Sequence, residues 1–445
     1  MVKGLEPLII PRKEHRISRK QISPNALRAL YRLHGRGFTA YLVGGCVRDL
    51  LLERTPKDFD IGTNATPGQI RRLFHNCRLI GRRFILAHLH FDDEIVEVST
   101  FRRAALPSDI PAPEEEGSTR RPYYRETEDG MVLLDNVFGT PEEDALRRDF
   151  TINALFYNIA DFSVVDYTTG LSDLEQRLIR PIGDPRVRFT EDPVRMLRAA
   201  RFAASHDLVI EPATWEILCE LAPTISRASP ARLYEEVQKL FLLGSARPAF
   251  SLLEKSGLLS ALLPALTRWI YEKSDHMRWL EANLESLGRL YGNGSGVSPA
   301  LFMAALLGPN LEEAALALHR TGIPYRQALD ASCEVFMKET LKVVSIPRKV
   351  SDRLRGILGL QTSLHRMPPR RPLSVVGRPE FGEALAYLRL GAEVRDKHRI
   401  PLAWWDRFLA EGQAALPSEA GSGEPPVSKK RRRRRKRRRS PKPAV

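Results

Sequence analysis

The 445-residue chain is 43% hydrophobic with a formal net charge of +15, a composition that excludes a disordered or fibrous protein and allows two or more domains with buried cores. No stretch reaches about 18 consecutive apolar residues, so no membrane span is expected. The cysteines at 46, 77, 219 and 333 lack both zinc-ligand spacing and the density of a disulfide framework. The first 21 residues hold an apolar run too short for a signal peptide and basic on both sides, and a reducing cytoplasm fits these features.

In chain order, residues 1–16 read as a loose arm. Ser23-Pro24 opens a helix to Leu33, with Pro in its first turn. Tyr41-Leu42-Val43 is a β-prone run, Gly44-Gly45 breaks it, and helical character resumes from Cys46 to Leu52. After Thr55-Pro56, the segment Lys57–Ile61 reads as a strand whose alternation puts Asp58 and Asp60 on one face and turns Phe59 and Ile61 to the core. Residues 104–129, rich in Pro, Glu, Arg and Gly, read as a loop near the active site. From Pro185 onward strand signals are scarce. Helices are expected from Asp192-Pro193, from Ser229-Pro230 through Leu243, and on to Leu416, with breaks at 291–296 and 367–372. A Gly/Ser/Pro/Glu linker from Pro417 to Ser428 then leads into an unbroken basic run: Lys429, Lys430, Arg431, Arg432, Arg433, Arg434, Arg435, Lys436, Arg437, Arg438 and Arg439. The run leaves +4 for the rest of the chain. It has no apolar residue to bury and its charges repel, so it is expected to be disordered. Its charge suits RNA phosphates, with a membrane-surface or localisation role as the lesser alternative.

The glycine pair and the carboxylates point to a metal-bound nucleotide. A strand passing through glycines into a helix N-terminus leaves backbone N–H groups free for phosphate oxygens, and Arg48 stands ready for a charge-assisted contact. Two carboxylates on one face of a strand suit Mg²⁺, which binds carboxylates together with substrate phosphates. Glu97, on a neighbouring strand, is the third carboxylate candidate, with a structural ion pair to Arg102 an equal alternative. Asp192 and Arg195 are three apart, so they either present a donor–acceptor pair to a base or form an intrahelical ion pair; Arg198 lies three further along. Asp149 is placed to cap the helix expected from Phe150. Arg232, Glu235 and Glu236 read as braces, and His206-Asp207 as unrelated to metal binding.

Leu42–Asp49, LVGGCVRD, followed by KDFD at Lys57–Asp60, resembles the head-domain motif of the class II nucleotidyltransferases of the polymerase β superfamily. That group holds the bacterial poly(A) polymerases and the CCA-adding tRNA nucleotidyltransferases. Val96–Arg102 resembles the strand after the metal strand, RRDFTINAL at Arg147–Leu155 the motif that selects a ribose and contacts phosphates, and EDPVRMLRAARFAA at Glu191–Ala204 the base-reading helix. The likeness runs from about Ile17 to about Trp405. Cys46 stands where the polymerases often have glycine.

The resemblance implies an α+β protein: a mixed-sheet nucleotidyltransferase head at 17–171, a helical neck at 172–245, a helical body with an arginine-rich C-terminal region at 246–416, and a linker with a basic tail at 417–445. It implies that Asp58 and Asp60 hold two Mg²⁺ ions, that Gly44, Gly45 and Arg48 hold the phosphates of ATP together with one of Arg147 and Arg148, that Asp149 accepts from a ribose hydroxyl, and that Asn153 belongs to the same ATP site. Asp192, Arg195 and Arg198 would read the base. Asn76–Phe91, with Arg82 and Arg83 as RNA contacts, Gly130–Phe150 and Ile346–Val394 resemble the poly(A) polymerase forms more than the CCA-adding ones. The expected partners are RNA 3′ ends and RNA-decay proteins, and the expected state is a monomer. The readings that follow are poly(A) addition, CCA addition to tRNA, or an inactive RNA-binding protein on the same fold.

Overall fold

Short β-prone runs set between glycine and proline turns build the head. The computed structural model describes residues 6–81, 85–103, 124–126, 132–135, 137–241, 244–292, 296–393 and 395–414. Its head strands are β1 (Leu8–Ile10), β2 (Ala40–Val43), β3 (Asp60–Thr63), β4 (Cys77–Ile80), β5 (Leu86–His90), β6 (Ile95–Thr100), β7 (Tyr124–Glu126), β8 (Val132–Asp135), β9 (Leu155–Asn158) and β10 (Val164–Asp166). Eight of them form one sheet in the order β1-β10-β9-β2-β3-β6-β5-β4, and β7 pairs with β8 apart from it. The β3–β6 pair is parallel and the other neighbours in the large sheet are antiparallel, so the sheet is mixed. The parallel register sets Asp60 beside Glu97 and Ile61 beside Val98.

Several boundaries differ from the sequence expectation. Leu8–Ile10, expected loose, form β1 on the sheet edge, where β-branched Ile9 and Ile10 pair with Val165 and Val164. Strand β3 starts at Asp60, so Asp58 precedes it rather than sharing its pleat; Phe59 and Ile61 are nonetheless buried as the alternation required. The helix expected from Phe150 is a single 3-10 turn at Thr151–Asn153, because Phe156 and Tyr157 immediately resume as β9. The helix expected to open at Asp192-Pro193 begins at Val194, with Pro193 as its N-cap and Asp192 extended at φ −150°.

The remainder of the described chain is helical, apart from a two-residue parallel pairing of Leu178–Ile179 with Val209–Ile210. One apolar core runs from Ile17 in the head to Trp405 near the end of the described residues. Its centre in the body is the Pro299–Arg320 helix, packed against Ser274–Gly292, Tyr325–Thr340 and Arg348–Leu364. That helix is long and apolar enough to cross a membrane by length and composition, but most of it is buried within the protein, which is how a body core helix reads.

Candidate active site

Strand β2 delivers the chain to Gly44, whose φ of 76° and ψ of −130° an L side chain rarely adopts. Gly45–Leu51 then forms a short helix. Space gives a second reason for glycine: a Cβ at position 44 would stand 2.7 Å from Arg148 Nη1. Arg148 is fixed there by Asp144 Oδ2, which accepts from Nη2 at 3.0 Å and Nε at 3.2 Å, and by the Asn153 carbonyl, which accepts from Nη1 at 3.2 Å. The family's glycine position is filled by Cys46, which is buried, with its sulfur 3.4 Å from the Val43 carbonyl; burial pushes its thiol up to about 12. It is a small apolar filler.

The carboxylates meet at the start of β3, which lies between β2 and β6 within the sheet. Burial pushes the Asp60 carboxyl up to about 7, with Glu97 and then Asp58 adding to the rise and Arg148 opposing it. Such a half-desolvated cluster of like charges is unfavourable without a cation, so the residues fit a divalent metal. Among the described residues, no three His, Cys, Asp or Glu side chains group closely enough to hold an ion unaided, which leaves the remaining ligands to substrate phosphate or water, as Mg²⁺ favours. Glu97 pairs with His88 Nε2 at 3.3 Å, across the β5–β6 register, rather than with Arg102. The Arg102 backbone N–H donates to Asp144 Oδ1 at 3.1 Å.

Arg48, expected to face phosphate, is instead a buried brace. Its Nη1 donates to Asn153 Oδ1 at 2.7 Å, its Nη2 lies 2.7 Å from Asp49 Oδ1, and its guanidinium sits 4.9 Å from the Phe202 ring centre. A guanidinium with all sides engaged ties the glycine helix to the RRDF turn and to the Val194–His206 helix. Asp49 also meets His206 Nε2 at 3.0 Å, so His206 supports the site through Asp49.

Asp149 does not cap the 3-10 turn, whose N-cap is Phe150. One carboxylate oxygen accepts from the Phe150 N–H at 2.9 Å and Asn153 Nδ2 at 3.1 Å, and the other from Arg198 Nε at 2.6 Å. Burial pushes this carboxyl up, but Arg198 and the hydrogen bonds outweigh it and hold it well below the usual range. Glu236, the expected brace, lies 3.0 Å from Arg201 and 3.7 Å from Arg198. The Arg198 and Arg201 guanidinium groups also lie 5.2 and 4.2 Å from the Phe202 ring centre.

Asp192 and Arg195 do not pair with each other. Asp192 accepts both Arg232 Nη1 at 2.9 Å and Nη2 at 2.7 Å, while Arg195 Nη1 donates to Glu191 Oε2 and to the Arg188 carbonyl, each at 2.9 Å. Two residues of this constellation escaped sequence reading. Arg188 Nη2 donates to the carbonyls of Arg147 and Arg148 at 2.6 and 2.5 Å, pinning the RRDF turn, and only its place in PRVRFTED hinted at this. Asp144, which holds Arg148, was signalled by its i,i+4 spacing on the edge of a helix. Arg82 and Arg83, most of the loop at 104–129 and the basic run at 429–439 lie outside the described residues.

Comparison with known proteins agrees along the chain. A family described as the poly A polymerase head domain matches residues 40–180, one described as a probable RNA and SrmB-binding site of polymerase A matches 207–270, and one described as the polymerase A arginine-rich C-terminus matches 321–440. Poly(A) polymerase I of Salmonella typhimurium is 43% identical over 417 residues, covering 92% of this chain and 87% of that protein. A CCA-adding enzyme of Lactobacillus gasseri is 35% identical over 233 residues, covering 52% of this chain and 54% of that one. Among solved structures, a Bacillus stearothermophilus CCA-adding enzyme in complex with CTP aligns with a TM-score of 0.60 at 23% identity, over 88% of this chain and 83% of that one, a likeness of fold. With 43% identity over 92% of the chain, and family matches in head, neck and C-terminal region alike, the chain belongs to the bacterial poly(A) polymerase family and is a nucleotidyltransferase.

Proposed function

We propose that this enzyme extends RNA 3′ ends with AMP from ATP, without a template, in RNA 3′ processing and decay. The observation that carries the chemistry is the Asp60 carboxyl, raised by burial and by Glu97 and Asp58, beside a glycine turn over which Arg148 is fixed. Poly(A) is favoured over CCA as the product because the identity to Salmonella poly(A) polymerase I extends over 92% of the chain, against 52% for the CCA-adding enzyme.

In the reaction the RNA 3′-oxygen bonds to the α-phosphorus of ATP, the bond from that phosphorus to the bridging oxygen breaks, pyrophosphate leaves, and the hydroxyl proton goes to solvent. Magnesium, two ions in this reading, would be held by Asp58 and Asp60 with Glu97 alongside, where it would acidify the attacking hydroxyl and offset the charge of the leaving pyrophosphate. Gly44 is buried and its N–H donates to the Leu155 carbonyl at 3.2 Å, so in this reading the triphosphate meets the backbone at half-buried Gly45, and Arg148 supplies a cation already oriented by Asp144. Arg48 acts by holding that turn rather than by touching phosphate. Asp149 uses three of its roughly four acceptor positions on protein donors, which leaves one for a ribose hydroxyl. Asp192, oriented by Arg232, and Arg195, oriented by Glu191, would accept from and donate to the adenine edge.

The test gives purified protein Mg²⁺ and one labelled nucleotide at a time, with either an unstructured RNA or a tRNA trimmed of its 3′ CCA. Long ladders with ATP on both substrates are expected. Growth by a few nucleotides on tRNA alone would make it a CCA-adding enzyme, and no incorporation would leave an RNA-binding protein.

A further inference from the structure

The helical body bears an open cavity of about 1290 Å³ to which the chemistry of the head assigns no role. It is larger than the roughly 300–1,000 Å³ of most small-ligand pockets, leaving room for a ligand with ordered water. It lies among the helices Pro264–Glu272, Ser274–Gly292, Pro299–Arg320 and Arg348–Leu364 and the turn at 395–398.

Two buried acceptors on its lining have no donor. His365 Nδ1 lies 2.8 Å from the Gln361 carbonyl, which only accepts, so this nitrogen carries the proton and His365 Nε2 a lone pair. That lone pair, 3.1 Å from His398 Nδ1, makes His398 the donor there. His398 Nε2 is therefore an acceptor, and it has no partner. Burial, aided by His365 and the cations Lys397 and Arg395, lowers His398 to about 3, so the ring is neutral. Gln361 spends its amide N–H groups on the carbonyls of Ile357 and Ala384, and its Oε1 is unpartnered. Both residues are 3% exposed. Buried acceptors without donors are unfavourable, so the cavity calls for a ligand that donates N–H or O–H groups.

The rest of the lining narrows the class. Trp269, stacked on His276, and Trp279, with Arg395 4.4 Å from its ring centre, each supply aromatic surface beyond the face already covered. Among the cations, Lys273 is paired with Glu313 and Arg268 with Glu339, but exposed Arg320 and Lys397 have no ion-pair partner among the described residues. Of the three carboxylates on the lining, Glu313 is paired with Lys273, burial pushes Glu312 up despite Arg395, and exposed Glu272 has no ion-pair partner among the described residues, one free anion against two free cations. Aromatic faces, inner acceptors and free rim cations together match a base with amino groups joined to a phosphate.

We propose that this cavity is a second nucleotide site, taking a nucleoside monophosphate unit with an amino-bearing base in preference to uracil. Uracil offers a single ring N–H to the two waiting acceptors, whereas adenine, cytosine and guanine bring an exocyclic amino group with two N–H donors. The unit comes either as a free nucleotide or as one residue of an RNA strand, and the proposal stands whether or not the head adds adenylate.

The full-length protein is photolabelled with 8-azido-AMP alone and, separately, with an RNA carrying 8-azidoadenosine, and the labelled peptides are mapped. Label on the peptides of Trp269 or Trp279 is expected, with AMP or CMP competing at least tenfold better than UMP. With azido-AMP alone this identifies a free nucleotide, and with the RNA probe only, a strand residue. The exposed double variant Arg320→Glu/Lys397→Glu should lose this label at least tenfold while peptides of the head keep theirs. No body label from either probe, equal competition by UMP, or undiminished body label in the double variant would overturn the proposal.

Discussion

Replacing Arg198 by Met tests whether Asp149 depends on it for its charge. The variant keeps an unbranched stem beside Phe202 but leaves a carboxylate that is 10% exposed with only two neutral donors, the Phe150 N–H and Asn153 Nδ2. Removing one partner of a buried ion pair destabilises by roughly 3–5 kcal/mol; Arg198 itself is 31% exposed, which places the expectation at the lower end, about 3 kcal/mol. Adding Asp149→Asn removes the stranded charge, so the double variant should be more stable than Arg198→Met alone by about 1–2 kcal/mol, a coupling typical of neighbours in one network. The pH dependence gives an independent sign. In the native protein the folded Asp149 carboxyl is held below its unfolded value of about 3.9, so its contribution is complete above that value and is lost as pH falls through the folded one. Without Arg198, burial dominates and raises the folded value above the unfolded one, so the deficit at pH 7 should shrink as pH falls toward 5. Urea unfolding at both pH values, with native-state hydrogen exchange of the 194–206 amides, measures both effects. A deficit that is independent of pH and unrelieved by Asp149→Asn would refute the argument.

Three further outcomes are expected. Asp60→Asn should lower nucleotide incorporation by at least about 10³-fold, the scale of a lost electrostatic contact at a reacting centre, while filter binding of RNA is unchanged; substantial residual activity would mean the metal site is misplaced. Gly44→Ala must hold φ near 76° at a cost of about 1–3 kcal/mol and displace Arg148 Nη1 from 2.7 Å, so its thermal midpoint should fall by a few degrees and its KM for ATP should rise, and neither changing would contradict both arguments. Deletion of residues 429–445 should flatten the dependence of RNA affinity on log salt, since it removes eleven consecutive cations; an unchanged slope would show that the tail does not touch RNA.

What was legible in the sequence was local. A β-prone triplet, two glycines and a helix need only short-range sterics, and the burial of Phe59 and Ile61 follows from alternation even though β3 begins later than expected. What was not legible were pairings set by the fold. Arg48 meets Asn153 across 105 residues, Asp149 meets Arg198 across 49, and Asp192 meets Arg232 across 40. No periodicity encodes such separations. The Asp192–Arg195 pairing failed for an instructive reason: spacing of three implies one face only within a helix, and Asp192, extended at φ −150°, stands outside it. One residue of boundary error changed both partners.

The resulting network explains why arginine rather than lysine fills it. Arg48, Arg198 and Arg201 each combine contact with the Phe202 ring with lateral pairing to a carboxylate, a division of labour available to a planar guanidinium but not to an ammonium. Around this ring the glycine helix, the RRDF turn and the Val194–His206 helix are held to one another by charge pairs; the partner outweighs burial at Asp149, Arg198 and Glu236, whereas at Arg201 burial outweighs Glu236. The groups assigned to ribose and base are thus oriented before substrate arrives, by Arg198 and Asn153 for Asp149 and by Arg232 for Asp192. Such preorganisation reduces the ordering lost on binding and leaves a wrong base facing groups that cannot rotate to accommodate it. In the proposed reading, selectivity in this head depends also on residues that need never touch the nucleotide, with Arg232 and Arg198 as much a part of it as Asp192 and Asp149.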